Sequence, residues 1–260
     1  MKFLWISLCG LLFLSCGKSN ASNGKKSWYI PDANSSWHWQ LNGKIKMDVL
    51  ADVYIVDLYD TPKSTIDTLH KEGKKVIAYF SAGSYESWRE DAKRFSKSAI
   101  GAKMDGWDER WLDIRDPSIK SIMRDRIALA KKKGFDGVEA DNVDGYTNKT
   151  GFKLSFNDQI KYNRFLSEEA HKNSLAIALK NDIDQIKDLE KYFDFAINEE
   201  CHEFNECDKY QPFIKSKKAV FNAEYKKTNT KKVCLESKKL GLQTLFLPLE
   251  LDGSFRIECK

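Results

Sequence analysis

Short apolar runs alternate with longer amphipathic stretches along the chain from residue 52 onward. The short runs end in polar side chains, as the buried strands of a parallel sheet do. In the longer stretches apolar residues recur every three or four positions, with lysine and glutamate on the outside, which is typical of helices that pack on a sheet. The strands predicted in this way are Val53–Asp57, Lys75–Phe80, Trp111–Ile114, Gly137–Glu139, Leu175–Leu179, Phe195–Asn198, Ala219–Asn222 and Thr244–Leu247. The helices include Lys63–Glu72, Ser118–Lys133, Asn157–Lys172 and Asp184–Tyr192.

Eight short strands separated by helix-length segments predict an α/β fold, a single (β/α)8 TIM barrel over residues 28–260. A tryptophan-rich stretch precedes the first of these strands and is predicted to be an N-terminal extension. Its Trp37 and Trp39 either plug the bottom of the barrel or stack on sugar rings, in which case Gln40 would bind a hydroxyl group. The link from Phe80 to Trp111 is long enough to carry a lid over the mouth of the barrel.

The N-terminus has the pattern of an export signal. Lys2 is followed by an apolar run to Leu14, and Ser15 then precedes Cys16. Residues 1–15 are therefore predicted to be a signal peptide, Cys16 the lipidated residue of a bacterial lipoprotein, and residues 16–27 a tether. The lack of aspartate after Cys16 favours the outer membrane or cell surface. Plain secretion is the alternative.

Composition narrows the function classes. The net charge of +5 is spread along helical lysines without a basic block, which argues against nucleic-acid binding. Beyond Cys16 four cysteines remain, and an even number in an exported chain favours disulfides. The most local pairing is Cys201–Cys207 with Cys234–Cys259, although three pairings are possible and a zinc site is the alternative. We expect a monomer that needs no cofactor.

Polar and mostly acidic residues follow every predicted strand. In a TIM barrel these strand ends form the functional face, and an acidic mouth suits a cationic or polyhydroxyl ligand. Asp57 and Asp182 have an alternative role as helix caps or as partners of Arg115 and Lys180. The predicted substrate-binding residues are Trp37, Trp39, Gln40, Asp57, Tyr79, Ser81, Glu86, Asp113, Asn142, Asp144, Tyr146, Lys180, Asn181, Asp182, Asn198, Glu224 and Tyr225.

Two carboxylates at the ends of separate strands have the chemistry that cleaves a glycosidic bond. Asp141 follows the fourth predicted strand and Glu199 the sixth, so they can face each other across the mouth. One would act as acid/base and the other as nucleophile or base. We predict Asp141 as the nucleophile or charge stabiliser. Glu199 lies between Ile197 and Glu200, surroundings that favour a proton donor.

Six ordered blocks resemble one known family. They are W-H-W-Q-L-N-G-K-I, V-I-A-Y-F-S-A-G-S-Y-E-S-W-R, R-W-L-D-I-R, G-V-E-A-D-N-V-D-G-Y, L-K-N-D and F-A-I-N-E-E-C. From residue 28 to about residue 225 the chain resembles the endo-α-1,4-polygalactosaminidase family of glycoside hydrolases, a family of exported TIM-barrel enzymes. The resemblance implies Asp141 and Glu199 as the catalytic pair. It also implies an α-1,4-linked galactosamine polymer as substrate, partly deacetylated and therefore cationic.

This chain departs from the family pattern at Ala140, where proline is common, and at Glu200, where glutamine is common. Two other function classes compete with the glycosidase. One is a carbohydrate-binding lipoprotein without turnover. The other is a metal-dependent deacetylase or hydrolase that uses Asp141, Asp144 and His202. Carboxylate-rich sites of that kind suit magnesium or calcium better than hydrolytic zinc.

Overall fold

A computed structural model describes residues 28–259, so the predicted signal peptide, the tether and Cys16 lie outside the described residues. The strands are β1 Trp37–Trp39, β2 Val53–Asp57, β3 Lys75–Ser81, β4 Ser84–Glu86, β5 Ile100–Lys103, β6 Glu109–Leu112, β7 Gly137–Asp141, β8 Ala176–Lys180, β9 Phe195–Glu199, β10 Val220–Glu224, β11 Gln243–Phe246 and β12 Ile257–Glu258. The α-helices are α1 Lys63–Lys71, α2 Pro117–Lys133, α3 Phe156–Lys172, α4 Ile186–Leu189, α5 Gln211–Lys215 and α6 Thr230–Leu240.

The main sheet has nine strands in the order β1-β2-β3-β7-β8-β9-β10-β11-β12. Its first eight strands are parallel, and β12 runs antiparallel to β11. The sheet curls so that its two ends meet: the indole nitrogen of Trp37 in β1 donates to the carbonyl of Gln243 in β11 at 2.8 Å. The fold is thus mixed α/β and TIM-barrel-like, and seven of the eight predicted strands belong to this sheet.

The structure corrects one predicted barrel strand and the predicted N-terminal extension. Trp111–Ile114 was expected in the barrel, but β6 pairs antiparallel with β4 and β5 in a separate three-stranded sheet. The residues Trp37–Trp39 are not an extension outside the sheet but its first strand, paired in parallel with β2. A short apolar run fits any half-buried strand, and only the tertiary pairing decides which sheet receives it.

The side chains pack in two layers. One cluster fills the inside of the curled sheet, with Trp37, Ile77, Phe195 and Phe221 among its members. The other lies between the sheet and the surrounding helices. Because successive residues of a strand point to opposite faces, alternate residues of β7, β8 and β9 point inward. Those inward positions carry the polar residues described below.

The boundaries of the two long helices follow from local chemistry. Asp116 caps α2 by accepting from the amide of Ser118, and Gly134 ends the helix with φ of 96°. The α3 helix begins with a capping box between Ser155 and Asp158. The predicted helix Asp184–Tyr192 is instead split into two 3-10 turns with the short α4 between them.

Both expected disulfides are present, Cys201–Cys207 and Cys234–Cys259. The first closes a six-residue separation directly after β9, and the second ties α6 to the end of the described chain. Across residues 28–259, none of the helices has the length and apolar character that crossing a bilayer requires.

Candidate active site

Three neighbouring strands each end in a charged residue on the inner face of the sheet. Asp141 is the last residue of β7, Lys180 the last of β8 and Glu199 the last of β9. The chain then turns at once, because each is followed by a residue with positive φ, at 61°, 49° and 59° (Asn142, Asn181 and Glu200). These abrupt turns keep the three charged side chains at the mouth of the sheet.

Lys180 joins the two carboxylates. Its ammonium nitrogen lies 2.9 Å from Asp141 Oδ1 and 2.7 Å from Glu199 Oε2. These two oxygens can therefore be no more than about 5.6 Å apart, the sum of the two distances. Only 2% of the Lys180 side chain is exposed. Burial alone would lower the pKa of Lys180, but Asp141, Glu199 and Glu139 outweigh it and hold that pKa well above its usual value.

Both carboxylates have further donors. Tyr79 donates its hydroxyl to Asp141 Oδ2 at 3.0 Å, and the Asn142 amide donates to Oδ1 at 2.7 Å. Tyr225 donates its hydroxyl to Glu199 Oε1. The backbone of Glu199 is fixed as well, since its amide donates to the Asn181 side chain at 3.0 Å. The orientation of each carboxylate is thus set before any ligand binds.

The loop after β3 braces Asn142 from the other side. Gly83 passes so close that an added Cβ would lie 1.6 Å from the carbonyl oxygen of Asn142, so only glycine fits there. The Asn142 side chain donates to Ser81 Oγ at 2.9 Å, and Ser84 in turn donates to Glu109. Burial raises the pKa of Glu109 to about 7.

These residues open into one cavity of about 520 Å³, within the ~300–1,000 Å³ range of small-molecule sites. It contains both predicted catalytic carboxylates and nine of the predicted substrate-binding residues: Trp39, Asp57, Tyr79, Glu86, Asn142, Asp144, Lys180, Asn181 and Tyr225. The sequence reasoning missed several lining residues that come from the segment between β3 and α2, including Trp88, Arg89, Met104, Asp105, Trp107, Asp108, Glu109 and Trp111. Three tryptophans in that one long link could have indicated that it contributes to a ligand site.

The cavity is acidic although the protein is basic. Ten of its lining residues carry a carboxyl group and two carry a positive charge. Both cations are already paired: Lys180 with the two carboxylates above, and Arg89 with Asp57 at 2.7 Å and Glu86 at 2.8 Å. The open part of the cavity therefore presents negative charge to a ligand.

Eight predicted substrate-binding residues lie away from the cavity lining, and four of them are buried beneath it. Trp37 stacks on Phe221 inside the sheet, with 5.0 Å between ring centroids, as the plug alternative expected. Gln40 is buried and binds the loop that follows it, donating to the Lys44 carbonyl at 2.9 Å. The others are Ser81, within the Asn142 network, and Asn198, which donates to the Tyr210 hydroxyl at 2.9 Å.

The other four are held by neighbouring side chains or loops. Asp113 pairs with Arg115 at 2.8 Å, and Tyr146 packs edge-on against Phe156. Asp182 accepts from Asn163 at 2.7 Å, and burial raises its pKa to about 9. Glu224 accepts from the amide of His202 at 3.0 Å. The structure thus gives each of these residues a local role in place of the cavity position that the sequence suggested.

Two more carboxyl groups lie near the pair. Glu139 precedes Asp141 by two residues on the same face of β7 and is fully buried. Desolvation raises its pKa well above the usual value. Burial and the charge of Asp141 raise the pKa of Asp144 to about 6. Burial thus disfavours the charged form of Glu139 beneath the pair, whereas Asp144 is mostly ionised at neutral pH.

The metal-dependent alternative finds little support in the donor set. Within residues 28–259 one group of possible ligands comes together, Cys201, His202 and Cys207, but both cysteines are bound in a disulfide. His202 binds Ser237 Oγ at 2.7 Å and is not among the cavity residues that include Asp141 and Asp144. His70 and His171 lie on the outer helices α1 and α3.

Comparison with known proteins gives the family. The profile of glycoside-hydrolase family GH114 matches residues 17–260. The structure of Aspergillus fumigatus Ega3 in complex with galactosamine is similar, with a TM-score of 0.85 and 36% identity over 89% of this chain and 97% of that one. The glycoside hydrolase domain of PelA from Pseudomonas aeruginosa shares the fold, with a TM-score of 0.67 and 12% identity over 85% and 97% of the two chains.

A search of curated proteins gave no match. The profile covers almost the whole chain, and the blocks that pointed to the polygalactosaminidase family lie inside the matched range. The predicted resemblance is therefore confirmed, and this chain belongs to the glycoside-hydrolase family GH114.

Proposed function

We propose that this protein hydrolyses an α-1,4-linked, partly deacetylated galactosamine polymer with Asp141 and Glu199 as its catalytic carboxylates. The observation that carries the proposal is the pair itself, held by Lys180 in an acidic cavity at the strand ends of a GH114 chain. The excess of carboxyl groups suits a polymer with free amines. Ega3, at 36% identity, has been crystallised with galactosamine.

The separation of the carboxylates supports a retaining mechanism. Retaining glycosidases place the two groups ~5–5.5 Å apart, whereas inverting enzymes need ~6.5–9.5 Å to admit a water between them. The limit of about 5.6 Å between Asp141 Oδ1 and Glu199 Oε2 agrees with the shorter class. One carboxylate would then attack the anomeric carbon to form a glycosyl–enzyme, which water hydrolyses in a second step.

We assign the attack to Asp141. Three donors hold this carboxylate: the Lys180 ammonium, the Tyr79 hydroxyl and the backbone amide of Asn142. Glu199 is the more accessible of the two, with 27% of its side chain exposed against 15% for Asp141. An acid/base group must give a proton to the leaving oxygen and then take one from water, and access to solvent favours Glu199 for that role.

Lys180 is a positioning residue in this scheme. Its ammonium holds the two carboxylates at a fixed distance and offsets one of their two charges. While Glu199 carries the proton that it donates, the ammonium balances the charge of Asp141. As that proton moves to the leaving oxygen, one net negative charge develops and stabilises the positive charge that forms on the sugar ring in the transition state.

The proposal is tested by incubating the protein with partly deacetylated α-1,4-galactosamine polymer and following the products by mass spectrometry and NMR. Wild-type protein should release products with the α configuration first. Asp141→Asn and Glu199→Gln should each lower turnover by at least ~10²-fold, because each removes a positioned carboxylate. Glu200→Gln, one residue from Glu199 but outside the cavity lining, is the matched control.

Four results would count against the proposal. The first is near-wild-type turnover in Asp141→Asn or Glu199→Gln, and the second is β-configured initial product, which would point to inversion. The third is polymer binding without cleavage by the wild-type protein, which would favour the carbohydrate-binding alternative. Activity that a chelator abolishes would revive the metal-dependent alternative.

We also infer that the protein is exported and anchored through Cys16. Two disulfides support an oxidising compartment. Cys16→Ser should move the protein from the membrane fraction to the soluble fraction. Unchanged membrane association in that variant would contradict lipid anchoring.

A further inference from the structure

Two tryptophans that line the cavity are about half exposed to solvent. Trp88 is 54% exposed and Trp107 is 50% exposed, whereas Trp111 beside them is 8% exposed. Within residues 28–259, Trp88 and Trp107 are the two tryptophans among the exposed large apolar residues. Both line the same cavity as Asp141 and Glu199. A tryptophan left half in water at a cavity wall is available for a ligand to cover.

The two tryptophans belong to one substructure, which we name the β3–α2 insertion (residues 82–116). It carries the three-stranded sheet β4-β6-β5 beside the mouth of the main sheet. Trp88 follows β4, and Trp107 lies in the turn between β5 and β6. Glu109 of β6 anchors this small sheet to the site through Ser84, which also accepts from Asn142. The insertion is thus built onto the active site.

The acids around Trp107 define the ligand that would cover it. Asp105 and Asp108 flank Trp107 in the sequence, and both line the cavity together with Asp60. Asp108 lies 4.0 Å from the ammonium of Lys103, and both side chains are largely exposed. Asp60 lies 3.5 Å from Arg89, whose guanidinium also pairs with Asp57 and Glu86. Long ion pairs between exposed side chains are weak and are readily exchanged for a ligand's cation. An aromatic face bordered by such carboxylates suits a flat ring that carries an ammonium group, through stacking and cation–π contact.

A second cavity adjoins the main one at the β3–α2 insertion. This smaller cavity, of about 140 Å³, shares Asp108 and Glu109 with the main one and is otherwise lined by residues of the β3–α2 insertion. Its lining also includes Lys103 and Arg110, so the wall of this smaller cavity carries charges of both signs. A polymer bound across the pair would have further units to place along the part of the main cavity that the two tryptophans line.

We propose that Trp88 and Trp107, with Asp105 and Asp108, form a distal subsite that binds amino-sugar units of the polymer beyond those at the cleavage point. This inference rests on the proposed function, and it adds that the β3–α2 insertion selects long, cationic chains over short ones. The acids would recognise free amines, and the tryptophans would stack on the rings.

The test compares Trp88→Ala and Trp107→Ala with Phe204→Ala. Phe204 is 63% exposed and outside both cavities, so its loss removes a similar exposed ring without touching the subsite. KM is measured for the partly deacetylated polymer and for the shortest galactosamine oligosaccharide that the wild-type protein cleaves. Binding of the uncleaved polymer is measured by affinity electrophoresis with the same substitutions placed in an Asp141→Asn background.

Each tryptophan variant should raise KM for the polymer at least about tenfold more than KM for the short oligosaccharide, as expected for a lost aromatic anchor. Asp105→Asn with Asp108→Asn should lower the preference for free amines over acetylated units. Equal effects on long and short substrates, or polymer binding that matches the Phe204→Ala control, would overturn the subsite. Failure of the wild-type protein to cleave any polymer would instead count against the proposed function. Thermal midpoints show whether each variant is folded.

Discussion

Replacing Lys180 with methionine tests the electrostatic arrangement of the site most directly. The side chain is buried, and methionine keeps its unbranched apolar stem while removing the ammonium. Asp141 Oδ1 and Glu199 Oε2, at most about 5.6 Å apart, would then face each other with no charge between them. Two unit charges at that distance repel by about 3 kcal/mol at an effective dielectric constant near ~20.

This repulsion predicts the direction of the pH dependence. At about 1.36 kcal/mol per pH unit, 3 kcal/mol corresponds to roughly two units. The second proton of the pair leaves against the charge left by the first, and in a retaining mechanism that second proton is the one the acid/base group donates. The alkaline limb of kcat/KM against pH should therefore move up by about two units in Lys180→Met. The acidic limb should rise as well, because the attacking anion loses the ammonium beside it. The titration belongs to the pair rather than to either carboxylate.

The assay is a pH profile of polymer hydrolysis from about pH 4 to pH 9, with thermal midpoints recorded in the same buffers. Lys218→Met is the matched control, because Lys218 is also largely buried and pairs with a carboxylate, Glu190, at 2.6 Å, but lies outside the cavity lining. Both variants should lose stability, since each leaves a carboxylate without its partner. Acidic and alkaline limbs that both stay in place in Lys180→Met, with activity lowered equally at every pH, would refute the reasoning.

Three further predictions concern Glu139, the disulfide between Cys234 and Cys259, and the charge of the cavity. The pKa of Glu139 is raised in the folded protein, so folding takes up a proton, and stability falls as pH rises above the pKa of about 4.3 that this group has in the unfolded chain. Glu139→Gln should therefore raise the thermal midpoint more at pH 8 than at pH 4. Replacing both Cys234 and Cys259 with serine opens a 25-residue loop and should cost about 3 kcal/mol in urea unfolding, with no change in polymer KM. Free-amine polymer should be cut faster than fully acetylated polymer at low salt, and the advantage should shrink as salt screens the acidic cavity; an unchanged ratio would contradict a charge-based preference.

Several features were fixed locally and could be predicted from the sequence. Seven barrel strands and the bounds of α2 and α3 follow from short-range periodicity and from caps such as Asp116 and Ser155. The position of Asp141 and Glu199 at strand ends needs only the strand boundaries, because parallel strands of one sheet end at the same face. Each cysteine pairs with the one closest to it in the sequence, as its spacing favoured: Cys201 with Cys207 and Cys234 with Cys259.

The rest depends on which segments meet in space, and only the tertiary structure decided it. Nothing local in the sequence indicates that Lys180 lies between the two carboxylates, because that follows from the order β7-β8-β9 in the sheet. The placement of β6 outside the barrel depends on long-range strand pairing, and this pairing carries Trp88 and Trp107 to the cavity wall. Acids that look alike in the sequence, such as Asp57, Asp113 and Asp182, were separated by the partner that each one reached: Arg89, Arg115 and Asn163. Local propensity sets where a strand ends, but only the packing of distant segments sets what its last side chain faces.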